Sequence, residues 1–258
     1  MAKKKKTYST GLFVLVLIFV SGVLVRASDA NASRRHYERG RPHRGFYELS
    51  LRTEQTSLNP YADVELQVVF ERPDGSNVTV DGFYDGGGVF KARAYCDTVG
   101  KWRWTSSSNV FDLSSESGAF EVEPSSLPGK LRLHKKDRRQ FAYDNGRWFL
   151  HIGDTGYRYV TQTEPKWKDY IDQAARMGAT KIRTWFCQGR SDVQILFANG
   201  RKELNLEYWQ EIDRRLQYAL EKYPHIIFKL IPYGEDTEEL RRCLLYTSDA
   251  ADELDGVD

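Results

Sequence analysis

The sequence predicts a multidomain chain: an N-terminal all-β, immunoglobulin-like sandwich, then about three βα units forming the first part of a (β/α)8, TIM-type barrel. Three observations predict it. Residues 45–123 carry only short strand-type runs punctuated by Gly, Pro, Asn and Asp, as sandwiches do. From residue 141, strand-length apolar runs alternate with one-faced helices, which predicts parallel strands joined by right-handed crossovers. Gly153-Asp154-Thr155 then places an acid where the first such strand gives way to a helix, the end of a barrel at which sites are built.

The first 32 residues read as an address. Lys3 to Lys6 form a basic start, residues 11–25 are an uncharged apolar run, and Ala30-Asn31-Ala32 offers a cleavage site after Ala32, or after Ala30. The alternative is an uncleaved membrane anchor, for which the run is short of the ~20 residues of a bilayer span. No cysteine follows the run, so a lipoprotein anchor is not indicated. Residues 33–44 (SRRHYERGRPHR) read as a solvated basic linker. The membrane is expected to matter only through the signal segment, and secretion argues against nucleic acid.

Composition narrows the classes. Aromatics at 13% with 40% hydrophobic residues describe a well-cored globular protein, neither disordered nor membrane-embedded. Three cysteines are too few for a disulfide framework, and Cys96 and Cys187 fall in different predicted parts, so no bridge between them is expected. A net charge of +2 distinguishes no partner.

In the sandwich about seven short strands are expected, among them 46–51, 64–70, 77–84, 89–95, 102–105 and 118–122. Pro73-Asp74-Gly75 is a turn in which Pro presets φ and Gly supplies the conformation others resist. Asp85-Gly86-Gly87-Gly88, Val99-Gly100-Lys101 and a Ser-rich loop at 105–108 separate later strands. The Cys…Trp…Cys spacing of antibody domains is absent, so the likeness is one of architecture. Residues 124–140 are a junction, with a charged run at 135–139 read as solvated connector.

Beyond it, Asn145-Gly146 between apolar runs signals a hairpin, and residues 148–152 (WFLHI) read as a buried strand leading into Asp154. Trp167, Tyr170, Ile171 and Ala174 mark one face of a helix over 164–177, with Thr163 as cap, Pro165 in the first turn and Gly178 as stop. Lys181–Trp185 is the second strand. A long loop at 186–203 follows. Asn205 caps a helix with Trp209, Ile212, Leu216, Ala219, Leu220 and Tyr223 as its stripe; Pro224 ends it. Residues 226–232 form the third strand, and a third helix starts near Asp236.

These residues resemble a known arrangement. NPY at 59–61, PDG at 73–75, GFYDGGG at 82–88 and GKWRW at 100–104 resemble a domain that precedes bacterial glycosidases. FAYDNGRWFLHIGDT and LNLEYWQEIDRRL resemble the start of the apiosidase-like (β/α)8 glycoside hydrolase family. The resemblance covers about residues 46–242 and implies a secreted bacterial enzyme acting on plant or other complex polysaccharide. Residues 243–253, CLLYTSDAADE, resemble instead the translation of a sequencing-library adapter, so 243–258 is expected to be non-native and the chain a gene fragment.

Glycoside hydrolysis needs two carboxyl groups, one as proton donor and one as nucleophile or base. The resemblance implies that they lie at the ends of later strands, so residues 141–242 form an incomplete barrel domain without the catalytic pair. The expected substrate-binding residues are Asp154, Arg183, Trp185, Tyr233 and Asp236. Asp154 would hydrogen-bond sugar hydroxyls or hold another group, or else fix a loop. Arg183 and Trp185 share one face of their strand; Arg can orient a carboxylate and Trp can stack on a sugar, or both can be interior packing. Asp236 can instead cap the helix that follows. Tyr157, Arg158 and Glu235 are weaker candidates, and His151 reads as a core histidine. The histidines show no metal spacing, and neither metal nor cofactor is expected. The alternative is a secreted carbohydrate- or matrix-binding protein without catalysis, in which Trp102 and Trp104 could form a sugar platform or pack into the core.

Overall fold

The computed structural model describes residues 36–55, 57–187, 194–201 and 203–231. The signal segment, Tyr233, Glu235, Asp236, the third helix and the adapter-like tail lie outside the described residues.

Eight strands make the first part: β1 (His36–Pro42), β2 (Phe46–Arg52), β3 (Leu66–Glu71), β4 (Asn77–Asp81), β5 (Phe83–Gly86), β6 (Val89–Tyr95), β7 (Gly100–Ser108) and β8 (Ser117–Glu123). They form one sheet in the order β1-β8-β7-β3-β4 and another in the order β2-β6-β5. Burial alternates along β3 and β7, as expected where one face of a strand meets a core and the other water. Tyr47, Leu49, Phe70, Phe90, Trp102, Trp104 and Phe120 fill the space between the sheets. Tyr47 stacks on Phe120 at 3.9 Å, and the Trp102 indole N–H donates to the Thr98 carbonyl at 2.8 Å.

Three readings of this part change. The basic segment expected to be a linker contains β1, whose backbone pairs in parallel with β8. The single strand expected at 77–84 is two strands in different sheets. They part at Gly82, where a Cβ would lie 2.4 Å from the Leu66 side chain, so the crossing admits only glycine without a shift. The Ser-rich stretch is the end of β7, not a loop. Ser106 is buried there because its hydroxyl donates to the Leu113 carbonyl at 2.7 Å.

In the second part, β9 (Leu131–Leu133) pairs with β10 (Phe141–Tyr143). The Asn145-Gly146 turn forms: Gly146 takes φ +83°, its N–H donates to the Tyr143 carbonyl, and a bridge joins Ala142 to Trp148. The buried strand expected at 148–152 does not form. Trp148, Leu150 and Ile152 are exposed, and only Phe149 is buried. The Leu150 carbonyl there accepts from the Thr180 hydroxyl and the Ile152 carbonyl from the Thr180 and Lys181 N–H groups, and parallel pairing begins only at β11 (Gly153–Thr155), five residues beyond the expected start at 148. His151 is accordingly exposed and outside any strand.

Next come α1 (Glu164–Arg176), β12 (Lys181–Trp185), the short antiparallel pair β13 (Phe197–Ala198) and β14 (Glu203–Leu204), α2 (Leu206–Lys222) and β15 (Ile227–Ile231). β11, β12 and β15 form a parallel sheet in that order. Among the described residues this is an open three-stranded sheet, coarser than the barrel expected. α1 buries Trp167, Ile171 and Ala174, as its spacing requires; Thr163 stands at the cap position but its side chain makes no capping bond. Asn205 does cap α2, accepting from the Tyr208 N–H. The stripe of α2 differs at one edge: Leu220 is exposed. Arg215 is buried, donating to the carbonyls of Tyr159 and Gln162 and to Glu211.

The two parts meet where α2 lies against the β2-β6-β5 sheet. Arg93 of β6 grips Asp213 through two bonds of 2.8 and 2.5 Å and reaches Glu48 at 2.7 Å. Gln210 donates to the Asp85 carbonyl at 2.9 Å. On the other flank, the Tyr95 hydroxyl donates to Asp144 at 2.5 Å. Cys96 and Cys187 are both buried, and burial pushes the Cys96 thiol up to about 12.

Candidate functional site

Register decides which side chains of the parallel sheet can meet. Asp154 is the partner of Ile182, while Thr155 is the partner of Arg183 and Arg183 of Lys229. Partners in adjacent strands point the same way, and successive residues of one strand point opposite ways. Ile182 is buried in the core beneath the helices, with Phe228 and Leu230 packed against it. Asp154 therefore faces the helix layer, and Thr155, Arg183, Trp185 and Lys229 share the other, open face.

Asp154 is held on its side by two bonds. One carboxylate oxygen accepts from the Thr155 N–H at 2.8 Å and the other from the Tyr170 hydroxyl of α1 at 2.8 Å. Burial, and then the bond to Asp154, raise the Tyr170 phenol, so it remains a donor at neutral pH. Gly156 lets this pair form, since a Cβ there would sit 2.5 Å from the Tyr170 ring and hydroxyl. The geometry gives Asp154 a loop-fixing role and separates it from Arg183 and Trp185, with which it was expected to line one pocket.

On the open face the two expected residues of β12 are joined by one that sequence reasoning ranked low. The Tyr157 ring stacks on Trp185 at 4.0 Å and 26°. Its hydroxyl accepts from Arg183 Nη2 at 2.6 Å, and the Arg183 guanidinium lies 5.4 Å from the same ring. The backbone locks this arrangement, because the Tyr157 carbonyl accepts from the Trp185 N–H at 3.3 Å. A flat aromatic pair beside a fixed cation can stack on a sugar face and donate to its oxygens.

Lys229 is the residue that sequence reasoning missed. It was legible as the one charged side chain in IIFKLIP, but only pairing with β12 places it beside Arg183. Tyr170 was read as part of a helix stripe, which gave no sign of its bond to Asp154.

A cavity of about 310 Å³ adjoins the same loop, walled by Tyr157, Tyr159, Trp167 and Tyr170 with Arg158 and Lys166. That is at the small end of the ~300–1,000 Å³ of ligand pockets. Trp167 is wholly buried there and its indole N–H lacks an acceptor among the described residues. In the sandwich, Trp102 and Trp104 are buried in the core, so neither offers a sugar platform. Among the described residues no group of three or more His, Cys, Asp or Glu is arranged to hold a metal ion.

Residues 44–109 match the sequence family described as "Domain of unknown function (DUF5060)". Among solved structures, one described as a "putative glycoside hydrolase" from Bacteroides vulgatus ATCC 8482 aligns with a TM-score of 0.69 at 20% identity, covering 82% of this chain and 46% of that one. This chain thus spans a little under half the length of that protein and shares its fold over the aligned part. The Lin-41 filamin domain aligns at 14% identity over 33% of this chain and 83% of its own, with a TM-score of 0.26. The ZIG-8 IG1 homodimer aligns at 8% identity over 35% and 81%, with a TM-score of 0.23. No curated protein sequence matches.

Proposed function

We propose that this chain is the N-terminal portion of a secreted glycoside hydrolase of the apiosidase-like kind, its open parallel sheet being the first three strands of a (β/α)8 barrel. The observation that carries this reading is the open face of that sheet, where Tyr157 stacks on Trp185 beside Arg183. The shared fold with the Bacteroides vulgatus protein supports it. The face would hold sugar rings, Trp185 and Tyr157 by stacking and Arg183 by hydrogen bonding. Thr155 borders it, while Asp154 and Tyr170 set the loop from behind. The catalytic carboxylate pair would come from chain beyond residue 242, where Cys243 onward is adapter-like, and Tyr233 and Asp236 would line the rim after the third strand. The apolar start would direct export.

Two measurements test this. Resequencing the gene past codon 242 should extend the reading frame through further strand–helix units that bring two acids to the barrel mouth. The extended protein should then release reducing sugar from polysaccharide. A confirmed stop after residue 258, with no reducing sugar released, would overturn the enzymatic reading. The alternative, a carbohydrate-binding protein that uses the sandwich, has lost its platform with Trp102 and Trp104 in the core.

A further inference from the structure

Among the described residues the open sheet face carries cations and no acid. Arg183 of β12 and Lys229 of β15 are direct cross-strand partners, and Lys181 stands one step back on the same face, opposite Ile227. Like charges directly opposite one another across two strands are destabilising, and an opposing acid would relieve that. None is present: among the described residues no carboxylate pairs with Lys181, Arg183 or Lys229, and Arg183 bonds only to the neutral Tyr157 hydroxyl. The Arg183 Nε–H is moreover buried without an acceptor. This guanidinium is partly desolvated and has no counter-ion among the described residues, the state that gains most from an incoming anion.

The aromatic pair defines what kind of anion fits. Tyr157 and Trp185 present stacked rings on the same face as the cations, with Trp185 one step along β12 from Arg183 on that face and Ile231 as its partner. We propose that this face binds a sugar ring bearing a negative charge, the ring against Trp185 and Tyr157 and the carboxylate or sulfate group against Arg183 and Lys229. The proposal rests on the carbohydrate reading of the face and adds the charge of its substrate. Carboxylate and sulfate present the same chemistry to two cations, and the test separates them.

The full chain is titrated calorimetrically with three soluble probes: a hexuronate oligosaccharide, the same oligosaccharide with its carboxyl groups methyl-esterified, and a sulfated oligosaccharide on a neutral backbone. The expected result is that at least one charged probe binds about tenfold tighter than the ester, the worth of a charge-assisted contact. That margin should shrink as salt rises from ~0.05 to ~0.5 M. Arg183→Gln and Lys229→Gln should each remove most of it. Lys229 is exposed and makes no described contact, so its variant keeps the fold even if the Arg183 variant does not. Which charged probe binds tells carboxylate from sulfate. Ester binding as tight as either acid, or a charge preference untouched by Lys229→Gln, overturns the inference and leaves the carbohydrate reading standing. Binding of no probe, together with no binding of neutral polysaccharide, overturns both.

Discussion

At the residue scale, a few positions bear constraints that their neighbours do not. Gly88 ends the β5–β6 turn at φ +77°, and a Cβ on it would lie 2.2 Å from the Thr53 carbonyl oxygen. Its own carbonyl accepts from the Thr53 N–H at 2.9 Å, so the two backbones cannot part without losing that bond. Gly88→Ala should cost about 2 kcal/mol or more, from strain and a displaced hydrogen bond together. Urea unfolding would show it as a lower midpoint, and an unchanged midpoint would contradict the close approach. Arg215 is the other such position. Its guanidinium is the buried donor to two carbonyls and to Glu211, so Arg215→Met strands both carbonyls and leaves Glu211 to Arg214 alone. A loss of about 3 kcal/mol is expected, measurable in the same way. Gly88 was legible as part of a glycine run; Arg215 was not, because the helical stripe marks apolar positions and a buried cation breaks its rule.

At the scale of elements, α2 belongs to both parts. One side buries Ile212 and Ala219 in the α/β core, and the other offers Asp213 and Gln210 to the sandwich. Asp213→Asn should leave each core intact yet loosen α2 from β6. The expected readout is faster backbone amide exchange in 206–222 with little change in β3 and β7; equal exchange throughout would deny the contact its role. Acid acts on the same helix. Bonds from Arg214 and then Arg215 hold the Glu211 carboxyl below its ordinary value of 4.5, so the folded state binds its proton more weakly than the unfolded chain does. Its contribution is complete above 4.5 and is lost as pH falls below it. Glu211→Gln should flatten the fall in thermal midpoint between pH 5 and 3 (roughly the range in which carboxylates titrate), and an unchanged slope would refute the linkage.

Over the whole molecule, two cores are unequal in completeness. The sandwich core is closed between two sheets, with Trp102, Phe70 and Phe120 removed from water. The α/β core has helices on one face of its sheet, while both edge strands, β11 and β15, lack further partners among the described residues. Trp148, Leu150 and Ile152 add exposed apolar surface beside it. Open edges and apolar patches favour association. Residues 33–140 expressed alone should therefore unfold cooperatively, and residues 141–231 alone should aggregate. A sharp thermal transition from the second piece would overturn this.

The sequence by itself determined the local elements. Spacing at i, i+3, i+4 and i+7 set α1, Asn205 began α2, Asn145-Gly146 set its turn, and the run KIRTW became β12 with the bounds expected, because each depends on residues a few positions apart. Only the tertiary structure decided where those elements point. Residues 148–152 have the composition of a buried strand but find too few partners, and the basic segment at 36–42 has the composition of a linker but finds one in β8. Asp154 and Arg183 looked like two walls of one pocket until register put them on opposite faces. A period of two makes every face assignment depend on pairing, and the pairings that decided these cases, β1 with β8 and β11 with β12, join segments some thirty to eighty residues apart, which no local pattern records.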